Sequence, residues 1–276
     1  MTGCAALLVL ALAAACSTNG VSPTEPVNVP STPVVTIASG SSGVVVDVID
    51  GDSLRVDVGN GVDEVRLLGI NAPEAGECWS NEARDALERM VTGVVTLVGD
   101  GRDQFGRLLA QVYDGADNLN LRLVEEGAAI ATSTEQTMAL AFQSAEEAAY
   151  TSAAGLWSQS ACGPAGPTEI SIHDVVFDAP GDDEENPNGE YAVIGNDGEP
   201  VDLSGWVLRD ESSTHRFRFP KGFVLGRGEV VLIRSGCGEE VPGELYWCAD
   251  GAVWSNGGDM ALLLDQYGNV VARLRI

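Results

Sequence analysis

A chain of 276 residues is long enough for two domains of ordinary size, and its 41 acidic against 15 basic residues leave a net charge of −26. The excess is even, with 20 acids and 7 bases in residues 43–163 and 20 acids and 8 bases in residues 164–276. Such a field repels polyanions at long range, so net charge excludes general nucleic-acid binding and leaves such chemistry to local arginines and a bound cation. Screening shortens the repulsion to about 8 Å at physiological ionic strength, so any activity on a polyanion is expected to tolerate added salt.

Residues 5–15 form a run of small and aliphatic side chains that ends at Cys16. The run is shorter than the roughly 20 apolar residues that span a bilayer, so residues 1–16 read as a signal peptide. Leu12-Ala13-Ala14-Ala15-Cys16 resembles a lipoprotein processing box, with leucine displaced by one position and no basic residue ahead of the run. The resemblance implies an extracytoplasmic protein anchored to the membrane by a lipid on Cys16, whereas ordinary cleavage after Ala15 would leave it secreted. Residues 17–42, rich in Ser, Thr, Pro, Asn and Gly, read as a disordered tether.

From residue 43 the pattern turns to short β-branched runs. Strands are expected at 44–49, 54–58 and 65–70, joined by Asp50-Gly51 and Gly59-Asn60-Gly61, then a helix at 80–91 and strands at 94–98 and 108–113. Two further helices are expected at 119–126 and 134–154, capped by Asn118 and Thr134 and stopped by Gly127 and Gly155. Five strands with a helix after the third match an OB-type five-stranded barrel with three helices, an α+β unit over residues 43–163.

Three islands in this unit carry chemistry: Asp50-Gly51-Asp52-Ser53, then Arg66 to Glu74 through Asn71-Ala72-Pro73, then Asp103-Gln104-Phe105-Gly106-Arg107. Carboxylates, a carboxamide and guanidinium groups on short turns suit a hard cation and a phosphate. In this order and spacing the islands resemble the thermonuclease (staphylococcal-nuclease-like) family. The resemblance implies a nuclease hydrolysing phosphodiester bonds of DNA or RNA to 3′-phosphate products with Ca²⁺ as cofactor. It implies Asp52, Asn71 and the Ala72 carbonyl as calcium ligands, Asp50 as support behind them, Glu74 as general base, and Arg66 and Arg107 on the phosphate. Asn71 stands where the family has aspartate, which removes a formal charge from the ligands and predicts a loose calcium site that Asn71→Asp would tighten. Phe105 replaces a tyrosine and Gln104 brings no positive charge, so substrate affinity is expected to suffer more than chemistry.

After a short link at residues 164–167 the pattern is wholly strand-like, with strands expected at 169–177, 191–194, 206–208, 216–219, 229–233, 261–264 and 270–274. Seven short strands argue an immunoglobulin-like β-sandwich over residues 168–276. Val201-Asp202-Leu203-Ser204-Gly205-Trp206, Phe217-Arg218-Phe219-Pro220 and Val253-Trp254-Ser255-Asn256-Gly257-Gly258-Asp259 resemble the lamin-tail domain family. That resemblance carries no catalytic set and implies an accessory role in targeting or adhesion, with a ligand left open and turnover expected to survive its deletion. A non-enzymatic surface binding protein built from both domains is the alternative.

Cys4 and Cys16 belong to the leader, leaving Cys78, Cys162, Cys237 and Cys248 in the folded part of an exported chain. Of three possible connectivities the domain-local one, Cys78 to Cys162 and Cys237 to Cys248, is the simplest. A zinc site is the competitor, weakened by the absence of a C-x-x-C pair and by the presence of only two histidines, His173 and His215, both read as structural.

Overall fold

The computed structural model describes residues 40–133, 137–166, 168–181, 183, 185–212, 214–239 and 241–276. The leader, Cys16, the tether up to residue 39, the Thr134 cap and Pro167 of the expected link lie outside the described residues.

The first half is a barrel of five long strands, β1 (Ser41–Val48), β2 (Ser53–Asp57), β3 (Val62–Leu67), β5 (Val94–Arg102) and β6 (Leu108–Asp114), with the short β4 (Ile70–Asn71) between β3 and β5. Antiparallel pairing in the order β3-β2-β1-β5-β6 is closed into a ring by parallel pairing of β3 with β6. Strand β1 begins within the expected tether, because Ser41 to Gly43 already pair with the Val95–Leu97 stretch of β5. Alternation fills the barrel, with Leu54, Val56, Val65, Leu67, Val95, Leu97, Ala110 and Val112 all buried.

Helix α1 (Ser80–Met90) buries Ala83, Ala86 and Leu87, one helical stripe, and places Glu82 in its first turn and Arg89 in its last. The strand β7 (Asp117–Asn118) leads into α2 (Leu119–Glu125), where the Asn118 side chain accepts from the Leu121 amide as a cap. Strand β8 (Ile130–Ala131) pairs with β4, and α3 (Ala139–Thr151) follows, starting five residues after the expected point.

The second half holds all seven expected strands and three short ones. Strands β9 (Ile170–Val176), β10 (Tyr191–Asn196), β15 (Val230–Arg234) and β16 (Glu244–Tyr246) form one sheet, in the order β16-β15-β10-β9. Strands β12 (Val207–Arg209), β13 (Arg216–Arg218), β17 (Met260–Leu264) and β18 (Val270–Arg275) form the other, in the order β13-β12-β17-β18. A small ribbon of β11 (Val201–Asp202) and β14 (Val224–Leu225) closes one end. Trp206, Phe217, Phe219 and Trp254 fill the space between the sheets.

Each half has its own core, and a third cluster is shared between them. Ile130, Ala149, Leu156 and Trp157 of the barrel half pack against Met260 and Leu262 of β17. Beside this cluster the buried Glu146 of α3 lies 2.6 Å from Arg275 and 3.6 Å from Arg273 on β18, and also accepts from the Ala131 amide. The two halves form one compact unit.

Both expected disulfides are present, Cys78–Cys162 and Cys237–Cys248, so the four thiols are consumed in bridges. The first closes a separation of 84 residues and ties the segment ahead of α1 to the end of the barrel half. Chain-entropy arguments put the stabilisation from a loop of this size at roughly 4–5 kcal/mol.

Candidate active site

The turn Asp50-Gly51-Asp52 sits between β1 and β2, directly under α1. A Cβ at Gly51 would lie 2.6 Å from the Cβ of Ala83 and 2.7 Å from that of Ala72, so glycine lets the turn approach both. Asp50 Oδ1 accepts from the Asp52 amide at 3.0 Å, which aims the Asp52 carboxylate away from the turn and toward β4. There Asp52 Oδ2 accepts from the Ala72 amide at 2.6 Å and meets Arg66 at 3.0 Å, while its Oδ1 accepts from the Ser53 hydroxyl.

Arg66, at the end of β3, is the hub of this network. Its Nη1 donates to the carbonyls of Leu67 and Ile70, and its Nη2 donates to Asn71 Oδ1 at 2.8 Å. A guanidinium has five N–H groups, so these bonds leave the Nε edge and one Nη2 hydrogen for a substrate oxygen pair. Burial pushes the Asp52 carboxyl up to about 7; Arg66 opposes the shift most, Asp50 adds to it, and the Ala72 amide and Ser53 hydroxyl oppose it further.

Asn71 is held from its other side by the second domain. Its Nδ2 donates to the Glu211 carbonyl at 3.1 Å, which fixes the amide so that Oδ1 faces Arg66. The Glu211 carboxylate reaches in the opposite direction and accepts from the Ser133 amide and hydroxyl at 2.7 and 2.6 Å. One residue of the sandwich thus clamps both the β4 side and the segment after β8.

The loop that carries Glu74 is similarly docked. Glu77 accepts from the Glu74 amide at 3.0 Å and pairs with Arg209 at 3.7 Å and with Arg216. The Glu74 side chain is exposed on this loop, and its charge bears on Arg209. Arg107, on the turn between β5 and β6, pairs with Asp103 at 2.7 Å and lies 5.6 Å from the centre of the Phe105 ring. The parallel register of Val65 with Leu108 sets Arg107 one residue ahead of the ladder that carries Arg66. Of the residues expected to act together, Asp50, Asp52, Arg66 and Asn71 converge in one bonded network that Ala72 joins through its amide rather than the expected carbonyl, while Arg107 pairs with Asp103 and Glu74 lies on the exposed loop two residues beyond Ala72.

Among the described residues no group of three or more His, Cys, Asp or Glu forms a metal cage. The candidate donors are oxygens of the kind a hard cation takes, and the Asp52 carboxylate among them is buried and already paired with Arg66. They fit calcium in kind, but with one inner carboxylate and with Arg66 lying between the Asp52 and Asn71 oxygens they fit it weakly.

Sequence reasoning passed over Glu77, Arg209, Glu211 and Arg216. None sits in an island, and their partners lie far away in the chain, 140 residues in the case of Asn71 and Glu211.

The family of this barrel is given by comparison with known proteins. Residues 64–159 match the family model described as staphylococcal nuclease homologue, and residues 164–276 match the lamin tail domain. The chain carries a staphylococcal-nuclease-like domain followed by a lamin-tail domain. It is 39% identical over 90 residues to an uncharacterized endonuclease of Escherichia coli, covering 32% of this chain and 58% of that protein. It is 34% identical over 118 residues to an uncharacterized endonuclease of Haemophilus influenzae, covering 42% and 66%. It is 34% identical over 94 residues to a thermonuclease of Staphylococcus hyicus, covering 31% and 56%. The chain thus spans less than two thirds of these relatives, and none of the matched stretches is long enough to include both of its domains.

Proposed function

We propose that this protein is an exported, calcium-dependent nuclease that hydrolyses phosphodiester bonds of DNA or RNA to 3′-phosphate products. The observation that carries the reading is the network in which Asp52, Arg66 and Asn71 meet within about 3 Å, at the end of a barrel whose relatives are named nucleases. Asp52, Asn71 and the Ala72 carbonyl would hold calcium, which when bound supplies positive charge to the non-bridging phosphate oxygens. Arg66 offers its free edge to the same phosphate, and Arg107 adds charge from the rim once a substrate draws it from Asp103. Glu74, exposed at the border, takes the proton of the attacking water.

Export and lipid attachment at Cys16 rest on the leader sequence, and targeting or adhesion through the lamin-tail domain rests on its family resemblance. A second reading, a surface binding protein with little catalysis, draws on one observation: Arg66 lies in the space that a cation between Asp52 and Asn71 would claim.

The test is cleavage of single-stranded DNA and RNA by the full chain at millimolar calcium and after chelation. Chelator-sensitive cleavage that Glu74→Gln lowers by about 100-fold or more supports the nuclease. Binding with no cleavage under the same conditions supports the second reading.

A further inference from the structure

Next to the catalytic network, and reaching Asn71, lies a cavity of about 340 Å³ between the two domains. Three of its walls' side chains are arginines of the lamin-tail domain, Arg209, Arg216 and Arg218, against two carboxylates, Glu77 and Asp265. Asp265 is turned inward to cap the β17–β18 turn, accepting from the Tyr267 and Asn269 amides. Glu77 is shared between Arg209 and Arg216. The three arginines outnumber the two carboxylates in a chain of net charge −26, and burial, then the like charge of Arg216, lower the pKa of Arg209.

Beside aliphatic side chains such as Ile130, Leu262 and Leu264, two aromatic residues also line the cavity. Tyr267 is half-exposed, and its ring sits so close to Gly163 that a Cβ there would fall 3.2 Å from it, which gives the ring a rigid backing. Trp79 is held with φ 71°, a left-handed conformation, between the Cys78 bridge and the start of α1. Guanidinium groups beside an exposed aromatic face are the combination that binds single-stranded nucleic acid, through phosphate and base at once. The volume admits one nucleotide and is too small for a duplex.

We propose that this interdomain cavity is a substrate subsite, in which the lamin-tail domain holds the nucleotide next to the scissile phosphate through Arg218 and Tyr267. The proposal rests on the nuclease reading of the neighbouring site and extends it by making single-stranded polynucleotide the substrate and the second domain part of its binding surface. Arg216 and Arg209, tied to Glu77, set the charge of the pocket and connect it to the loop that carries Glu74.

The test is fluorescence anisotropy with a labelled single-stranded hexanucleotide at millimolar calcium, on the full chain carrying Glu74→Gln to halt turnover. Arg218→Ala and Tyr267→Ala are each expected to weaken binding about 5-fold or more, the size of one lost stacking or phosphate contact. Lys221→Ala, which removes the same charge from an exposed position outside the cavity, is the control and is expected to change binding by less than 2-fold. Thermal melts of each variant confirm folding, and Arg218→Lys, which keeps the charge, is expected to recover part of the loss. Losses at Arg218 and Tyr267 no greater than at Lys221, or no binding by the parent chain, overturn the subsite. Cleavage by the unmodified chain with a KM indifferent to Arg218→Ala also overturns it and leaves the nuclease reading standing. Binding that depends on Arg218 in a chain that cleaves nothing does the reverse.

Discussion

The two halves of the molecule are almost equally acidic, yet they use their few cations in different ways. In the barrel, Arg55, Arg102 and Arg122 pair with carboxylates of their own half at the surface, while Arg66 and Arg107 stand at the candidate site. In the sandwich, four of the eight basic residues pair across the boundary, Arg209 and Arg216 with Glu77, and Arg273 and Arg275 with Glu146. The difference teaches that ion pairs tie the lamin-tail domain to the barrel at two places, one beside the loop that carries Glu74 and one beside α3, in addition to the Glu211 contacts and the shared apolar cluster. An appended module would have kept its cations to itself.

The largest test of that comparison is at Glu146, which is almost wholly buried and faces both Arg273 and Arg275. Removing one partner of a buried pair leaves an uncompensated charge, so Glu146→Ala is expected to cost about 3–5 kcal/mol. In a double-mutant cycle, Glu146→Ala with Arg275→Ala should cost well under the sum of the two single changes. Additive losses, measured by denaturant unfolding, would mean that the pair does not hold the halves together. The same geometry predicts what loss of the second domain costs in stability. Truncation after Gly163 strips cover from Ile130, Leu156 and Trp157 and leaves Glu146 without its arginines, so a melting temperature well below that of the full chain is expected.

Most of the fold was readable because barrel and sandwich strands alternate apolar and polar residues and are separated by Asp-Gly and Gly-Asn turns. The strands missed, β4, β7, β8, β11, β14 and β16, are two or three residues long and have no period to read. The center of the site was readable for a related reason. Asp50, Asp52, Arg66 and Asn71 lie on turns or short strands whose local sequence is distinctive, and closure of the barrel brings them together. What the sequence left dark was every contact that depends on docking. Nothing about Glu211 or Arg209 separates them from the other charged residues of an acidic chain until Asn71 and Glu77 are placed against them.

Glu211 offers a pH-dependent way to sharpen the comparison. Burial pushes its carboxyl up to about 7, with Asp259 adding to the shift and Ser133 and Arg275 opposing it. The folded chain therefore holds this proton more tightly than the unfolded chain does, and stability falls as pH rises from about 4.5 to about 7 and is flat above. Glu211→Gln keeps an acceptor for Ser133 and cannot ionise. It should match the parent near pH 4.5 and exceed it above pH 7 by at most roughly 3 kcal/mol. Melting curves across that range decide it, and a difference that does not vary with pH rules out Glu211 as the source.

The smallest expected effect falls at Asn71, where the two halves meet inside the site. By charge count alone Asn71→Asp should improve calcium binding, since it restores a second carboxylate beside Asp52. The Nδ2 of Asn71, however, donates to the Glu211 carbonyl at 3.1 Å, and a carboxylate there would set oxygen against oxygen in a buried position. Losing that bond and leaving the carbonyl unpaired costs about 1–3 kcal/mol in the calcium-free chain. The variant is thus expected to melt lower without calcium and to regain stability on titration with it more steeply than the parent. If Asn71→Asp melts at the parental temperature without calcium, the Glu211 carbonyl is not holding the side chain. In that case the carboxamide is simply a weaker ligand than aspartate, and the two domains meet at the site without acting on it.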